Sequence, residues 1–238
     1  MADRGLEGKV ALVTGATRGV GLAIARKLCA EGCHTVLNYA HSEEAAQHAV
    51  GQLSGLPGSA TAVRADVTRR EELTQLLATV GERFGRLDVF VHNAASWNPT
   101  PAVGADPDGV RTDLAAALDP LLYAAPAVAR LMAGGPGRVV AVSSSGARTV
   151  IPRYVGLGVA KAALESLVRY LAVELAGRGI AVNAVSTSKI DKGPAHRSRR
   201  WPPHSRPVLR PDGSPHPRTS PTRWHCCARR RPAGSTVR

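Results

Sequence analysis

Nowhere in this 238-residue chain are there the roughly 18 consecutive apolar residues that a membrane-spanning helix needs, so no span is expected. The N-terminus, MADRGLEGKVALVTG, lacks the charged-then-apolar layout of a signal segment and enters a strand pattern almost at once. A cytoplasmic protein is the expectation. Cysteine is sparse, with only Cys29, Cys33, Cys226 and Cys227. The first two flank a predicted helix end and read as small core residues. The last two are adjacent and have no partner pair at zinc-site spacing, so neither a disulfide framework nor a metal site is expected. Acidic residues are few, 18 against 31 Lys and Arg, but the resulting net charge of +13 is unevenly placed. Residues 193–238 hold eleven Arg and one acid, Asp212, for +10, which leaves +3 for the rest of the chain. That remainder is an ordinary balance for a globular protein, and the length suits one α/β domain with a substantial core.

Short β-branched runs recur along residues 9–186: KVALVT, HTVLNY, ATAVRA, LDVFVH, GRVVAVS and IAVNAV. Amphipathic or apolar helical stretches separate them. Strands alternating with helices imply a doubly wound parallel sheet with right-handed crossovers and helices on both faces, a Rossmann-type α/β domain over residues 1–191. Thr68 and Glu71 form a capping-box pattern before EELTQLLATV. Asp106 followed by Pro107 reads as an N-cap with a first-turn proline. Pro120 and Pro126 fall inside the helical stretch that follows and are expected to interrupt or kink it. Tyr154 to Ala176 is apolar nearly all round, which predicts a helix buried on several sides, with one side available to a subunit partner.

Beyond about residue 190 the periodicity ends. Nine prolines lie between Pro194 and Pro232 without apolar spacing, so residues 192–238 are expected to be a disordered, basic Arg/Pro-rich tail. An abrupt change of this kind is what a reading-frame shift near residue 190 in a GC-rich coding sequence would produce.

TGATRGVG, residues 14–21, lies between the first strand and the first helix. Gly15 permits a tight turn, and Gly19 and Gly21 let backbone and helix approach a pyrophosphate at the positive helix N-terminus. At a strand-to-helix junction inside a βαβ unit this pattern predicts dinucleotide binding by the loop, through Gly15, Thr17, Arg18, Gly19, Val20 and Gly21. The end of the second strand carries Asn38, Tyr39, Ala40 and His41, with no acid before Glu43. A missing carboxylate removes repulsion against a 2′-phosphate, and Arg18 offers it a partner, so NADP(H) is favoured; the alternative for Arg18 is a solvated surface charge. Asp66 and Val67 follow the third strand, where they either hold the adenine edge or cap the next helix.

Taken together, these residues resemble the short-chain dehydrogenase/reductase family. Asn93-Ala94-Ala95 looks like the family's Asn-Asn-Ala-Gly motif, with His92 and Ala95 in the outer places. The serine run 143–145 ends the fifth strand where the family keeps its catalytic serine, Ser144 matching best. Tyr154 and Lys161 follow on the next helix, and Asn183 matches the family's structural Asn. The resemblance implies that Tyr154, Lys161 and Ser144 are catalytic, and that Asn38, Tyr39, Asp66, Val67, Asn93, Ala94, Lys161 and Ile190 join the glycine loop in holding the cofactor. It also implies a homo-oligomer and a further, last strand, for which the sequence beyond about residue 190 offers no apolar pattern. Most ketone-reducing members place the tyrosine four residues before the lysine, but here that position is Leu157. Tyr-x6-Lys is similar to the enoyl-acyl-carrier-protein reductases, and IPRYVGLGVAKAALESLVRYLAVEL is most like their type III, NADPH-dependent branch.

The spacing suits that chemistry. Residues i and i+7 share a helix face but stand two turns apart. In enoyl thioester reduction the hydride lands on the β-carbon, two bonds beyond the carbonyl carbon, so the acid at the carbonyl oxygen must stand farther from the nicotinamide. The family's helix-borne Asn is replaced by Ala117, and its Pro-Gly after the sixth strand by Thr187-Ser188. The substrate expected is an acyl thioester, free or carried on a protein. A 3-oxoacyl or other ketone reductase of the same family is the alternative. A third class is an inactive cofactor fold whose basic tail binds nucleic acid, though with only Trp201 and Trp224 for stacking.

Overall fold

The computed structural model describes residues 5–187. Contacts divide the chain into Met1–Lys192 and Gly193–Arg238, and the second unit lies outside the described residues, as do Ile190, Cys226, Cys227 and the expected tail.

The elements alternate strictly: β1 (Val10–Val13), α1 (Gly19–Ala30), β2 (His34–Tyr39), α2 (Glu43–Leu53), β3 (Ser59–Arg64), α3 (Arg70–Phe84), β4 (Val89–His92), α4 (Pro107–Leu131), β5 (Arg138–Ser144), a 3-10 turn Ser145–Ala147, α5 (Val155–Ala176) and β6 (Ala181–Thr187). All strand pairs are parallel, in the order β3-β2-β1-β4-β5-β6. The order reverses between β1 and β4, so their carboxyl ends open the crevice where such sheets bind ligands.

The two-residue period of the strands sorts the core into two layers. Val10 and Leu12 of β1, Val36 of β2 and Phe90 of β4 join Leu73, Leu76, Leu121, Val128, Leu164 and Val168 under α3, α4 and α5. Their neighbours Ala11, Val13, Leu37, Val89 and Val91 face the other way and pack with Ala25, Cys29, Ala49 and Leu53 under α1 and α2. Helices therefore cover both faces. Cys29 and Cys33 are fully buried free thiols, as small core residues should be.

Asp106 caps α4 by accepting the Asp108 and Gly109 N–H groups, and Pro107 stands in the first turn. Two local expectations are corrected. The capping box at Thr68 does not form: Thr68 gives both its N–H and its hydroxyl to Asp66 Oδ1, the N-cap is Arg69, and it is Glu72 that reaches back, to the Asp66 N–H. Nor do Pro120 and Pro126 interrupt α4, as one branch of that expectation had it: the helix is continuous through both. Pro120 has no N–H to give the Ala116 carbonyl, but the buried His92 ring faces this turn from β4, with Nε2 3.1 Å from the Ala117 carbonyl oxygen. By length and composition α4 is also apolar enough to cross a membrane. Its buried Leu121, Ala124 and Val128 belong to the core under the sheet.

Candidate active site

The glycine loop leaves β1 through Thr14, whose hydroxyl accepts the N–H groups of Asn93 (2.9 Å) and Ala94 (3.0 Å) at the end of β4. Asn93 Nδ2 donates in turn to the carbonyls of Thr14 (3.0 Å) and Gly15 (3.1 Å). Gly15 turns the chain at φ 60°, a left-handed conformation that suits glycine. A Cβ at Gly21 would lie 2.3 Å from the Gly15 carbonyl oxygen, so helix and loop touch backbone to backbone. Arg18 is the N-cap of α1 and makes no side-chain cap, and the first turn holds no acid. The first N–H groups of α1 are thus free of side-chain partners, and a helix N-terminus in that state suits a pyrophosphate. Thr17 and Val20 are half-buried along the loop, and Arg18 and Gly19 are exposed.

Among the residues placed beside the cofactor from sequence, Asn38 has a different position. It is buried, giving Nδ2–H to the Ala65 carbonyl (2.8 Å) while Oδ1 faces the Gly15 N–H (3.4 Å). Its amide props the loop from below and does not line a crevice. Asp66 is taken up by the Thr68 N–H and hydroxyl, and the Val67 side chain lies in the core. Tyr39 is half-buried at the end of β2, in register with Arg64 of β3. Arg64 Nε donates to the Ala40 carbonyl (3.2 Å), which draws the exposed guanidinium over the end of β2, where an acid is missing. Sequence reading passed over Arg64, because only the pairing of β2 with β3 brings it there.

At the carboxyl end of β5 the geometry separates the serines. Ser143 is buried and donates to Glu165 Oε1 of α5 (2.8 Å). Ser145 opens the 3-10 turn and its carbonyl accepts the Arg148 and Thr149 N–H groups. Ser144 alone of the three meets Tyr154, whose hydroxyl donates to Ser144 Oγ at 3.2 Å. Ser144 Oγ also accepts the Gly146 N–H (3.2 Å), which leaves its own hydrogen for a third partner. A Cβ at Gly146 would stand 2.4 Å from Tyr154 Cε1, so the ring fits only because that position is bare. Arg148 clamps the segment by donating from Nε and Nη2 to Glu165 Oε2 (3.0 and 2.8 Å).

Lys161 is 4% exposed, which removes it from the ordinary surface lysines. Its Nζ donates to the Val142 carbonyl (2.7 Å), so β5 receives the ammonium at Val142 and the phenol at Ser144. Burial pushes the ammonium pKa down to about 8. His92 is wholly buried, and burial first and the Lys161 charge second pull its pKa to about 4. It is therefore neutral at pH 7. With the Ala117 carbonyl at Nε2, that nitrogen carries the hydrogen and Nδ1 faces the Thr14 hydroxyl (3.4 Å). Asn183 stands exposed on β6, beside Val140. A cleft of about 310 Å³ at the amino end of the strands, beside Arg86, Asp88 and Met132, lies far from these groups. Its Asp88 is already committed to Val10, Arg86 and Lys9.

The structure therefore brings Tyr154, Ser144 and Lys161 together on β5 and α5, and Gly15, Gly21, Asn93 and Ala94 together at the ends of β1 and β4. Residues 15–203 match the family described as enoyl-(acyl carrier protein) reductase. The chain is 42% identical over 183 residues to 1-cyclohexenylcarbonyl-CoA reductase of Streptomyces collinus, covering 77% of this chain and 65% of that protein's length. It is 35% identical over 182 residues to a 3-oxoacyl-[acyl-carrier-protein] reductase of Synechocystis, covering 76% and 74%. It is also 35% identical to the enoyl-[acyl-carrier-protein] reductase [NADH] of Aquifex aeolicus, covering 78% and 70%. Among solved structures, a dehydrogenase/reductase from Sinorhizobium meliloti superposes with a TM-score of 0.74 at 33% identity, over 78% of this chain and 73% of the other. A short-chain dehydrogenase from Mycobacterium smegmatis gives 0.72 at 34%, over 77% and 78%. With its parallel sheet, glycine loop and Ser–Tyr–Lys cluster, this chain belongs to the short-chain dehydrogenase/reductase family.

Proposed function

We propose that the protein reduces the carbon–carbon double bond of an enoyl thioester with NADPH. The observation that carries this reading is the placement of Tyr154, seven residues before Lys161 and hydrogen-bonded to Ser144 on the neighbouring strand. NADPH, when bound, supplies the hydride. The loop N–H groups at the start of α1 receive its pyrophosphate, and Lys161 keeps two N–H donors for the nicotinamide ribose after its bond to Val142. Arg18 and Arg64 stand ready for a 2′-phosphate at the acid-free end of β2.

In this reading the phenol of Tyr154 and the free hydrogen of Ser144 donate to the thioester oxygen once substrate binds, where negative charge gathers as the β-carbon accepts hydride. Lys161, still an ammonium at pH 7, adds positive potential on the same helix face. Ala117 stands where the family carries its helix-borne Asn, and the Ala117 carbonyl already faces the His92 ring. Proton delivery then rests on Tyr154 itself. Exposed Trp97 and Val150, on the loops leaving β4 and β5, suit an apolar acyl chain.

A second reading is reduction of a 3-oxoacyl thioester, favoured by the likeness to the Synechocystis enzyme. Oxidation of NADPH is measured with a crotonyl thioester and with an acetoacetyl thioester; faster turnover of the first is expected, and the reverse order installs the second reading. Tyr154→Phe is expected to cut turnover by about a hundredfold or more with dinucleotide affinity retained. Unchanged turnover in that variant removes Tyr154 as the acid.

A further inference from the structure

The residue before Tyr154 is held in an unusual way. Arg153 has a φ of 59°, the one left-handed non-glycine backbone among the described residues. A Cβ makes that conformation sterically costly, and such a residue persists only where its surroundings over-determine it. Two contacts do so here. The Thr100 N–H donates to the Arg153 carbonyl (3.2 Å), and Arg153 Nη2 donates to the Pro99 carbonyl (3.2 Å). Thr100 and Tyr154 form an isolated parallel bridge, so residues 99–100 and 153–154 are zipped together.

The far side of this strap is itself anchored. The Asn98 N–H and Nδ2 donate to the fully buried carboxylate of Asp113 on α4, the closest contact at 2.9 Å. Thr100 Oγ1 accepts the N–H of Asp106, the N-cap of α4. A Cβ at Gly156 would lie 2.8 Å from Asp113 Oδ2, which sets that carboxylate against the first turn of α5, at the positive end of its dipole. Tyr154 is the N-cap of α5 yet makes no side-chain cap, its hydroxyl being turned to Ser144. A helix end without its own cap frays unless tertiary contacts fix it. Here those contacts run through Arg153.

We propose that Arg153 is a positioning residue for Tyr154: its left-handed backbone and its guanidinium close a strap between the loop leaving β4 and the start of α5, and the strap sets the phenol at Ser144. The inference rests on Tyr154 being the acid of the reaction proposed above. Without the strap, residue 153 relaxes to an ordinary negative φ, the first turn of α5 rotates, and the phenol swings off the substrate oxygen.

The test compares the wild type with Arg153→Ala, Arg153→Lys and Tyr154→Phe. Turnover is followed with the better of the crotonyl and acetoacetyl thioesters, dinucleotide affinity by fluorescence, unfolding by heat, and amide exchange by mass spectrometry. Arg153 is exposed, so its truncation leaves the core intact. Arg153→Ala is expected to lower kcat about tenfold or more, with dinucleotide affinity and melting temperature unchanged. Faster exchange is expected only in residues 97–100 and 153–158. Lysine, which keeps one donor for the Pro99 carbonyl, is expected to recover part of the loss. Wild-type kcat and exchange in Arg153→Ala overturn the proposal, as does a parallel fall of kcat, affinity and melting temperature. Should Tyr154→Phe keep full turnover, the acid assignment fails; should it lose turnover while Arg153→Ala does not, only the strap fails.

Discussion

At the scale of single residues, the charge of His92 is decided by where it sits. Its pKa of about 4 in the fold lies below the ordinary histidine value of 6.5. The unfolded chain therefore binds a proton between those values that the folded chain refuses. Stability from this residue is complete above pH 6.5 and is lost as pH falls toward 4, on the order of 3 kcal/mol in all. Denaturant titrations from pH 7 to 4 should show the advantage of the wild type over His92→Gln shrinking through this window; a constant gap would mean that the ring titrates in the fold as it does in the unfolded chain. Arg64 makes a prediction of cofactor choice. Its Nε is tied to the Ala40 carbonyl just past β2. Arg64→Ala is expected to weaken NADPH binding by about tenfold, the scale of one hydrogen bond to a charged group, and to leave NADH binding unchanged. Equal effects on the two dinucleotides would place the guanidinium away from the 2′-phosphate.

Among elements, the glycine loop and α1 depend on one close approach. An alanine at position 21 must displace the Gly15 carbonyl at 2.3 Å and the Asn93 amide at 2.7 Å, both of which shape the loop. Gly21→Ala should lose dinucleotide affinity by at least about tenfold and cost about 1–3 kcal/mol in stability from overpacking, measured by fluorescence titration and urea melts; full affinity would contradict the backbone contact. This element was legible in advance, because TGATRGVG sits where a strand pattern gives way to a helix pattern. Tyr154, Lys161 and Ser144 were singled out through a family resemblance, and folding sets Tyr154 against Ser144 and buries Lys161 at Val142. Arg64, Asp113, Glu165 and the strap at Arg153 were not legible. Each acts through a partner that only folding brings near, Arg64 on Ala40 and Asp113 on Asn98, with no local pattern to mark the pairing. Pro120 misled for the same reason, since the ring beside its turn comes from β4, 25 residues before Ala117.

For the whole molecule, the two-residue period of the strands divides the core into a layer under α3, α4 and α5 and a layer under α1 and α2. Phe90, fully buried in β4 at the middle of the sheet, is the large side chain that ties the first layer together. Phe90→Ala is expected to cost about 3–5 kcal/mol, read as a lowered urea midpoint; a cost below about 1 kcal/mol would mean that the layer closes over the gap. The same period reaches the chemistry at the end of β5. Ser143 and Ser144 are adjacent in the chain but face opposite sides, one bound to Glu165 and the other to Tyr154. Sliding β5 by a single position would exchange the two roles, so the pairing of β5 with β4 and β6 decides which hydroxyl meets Tyr154.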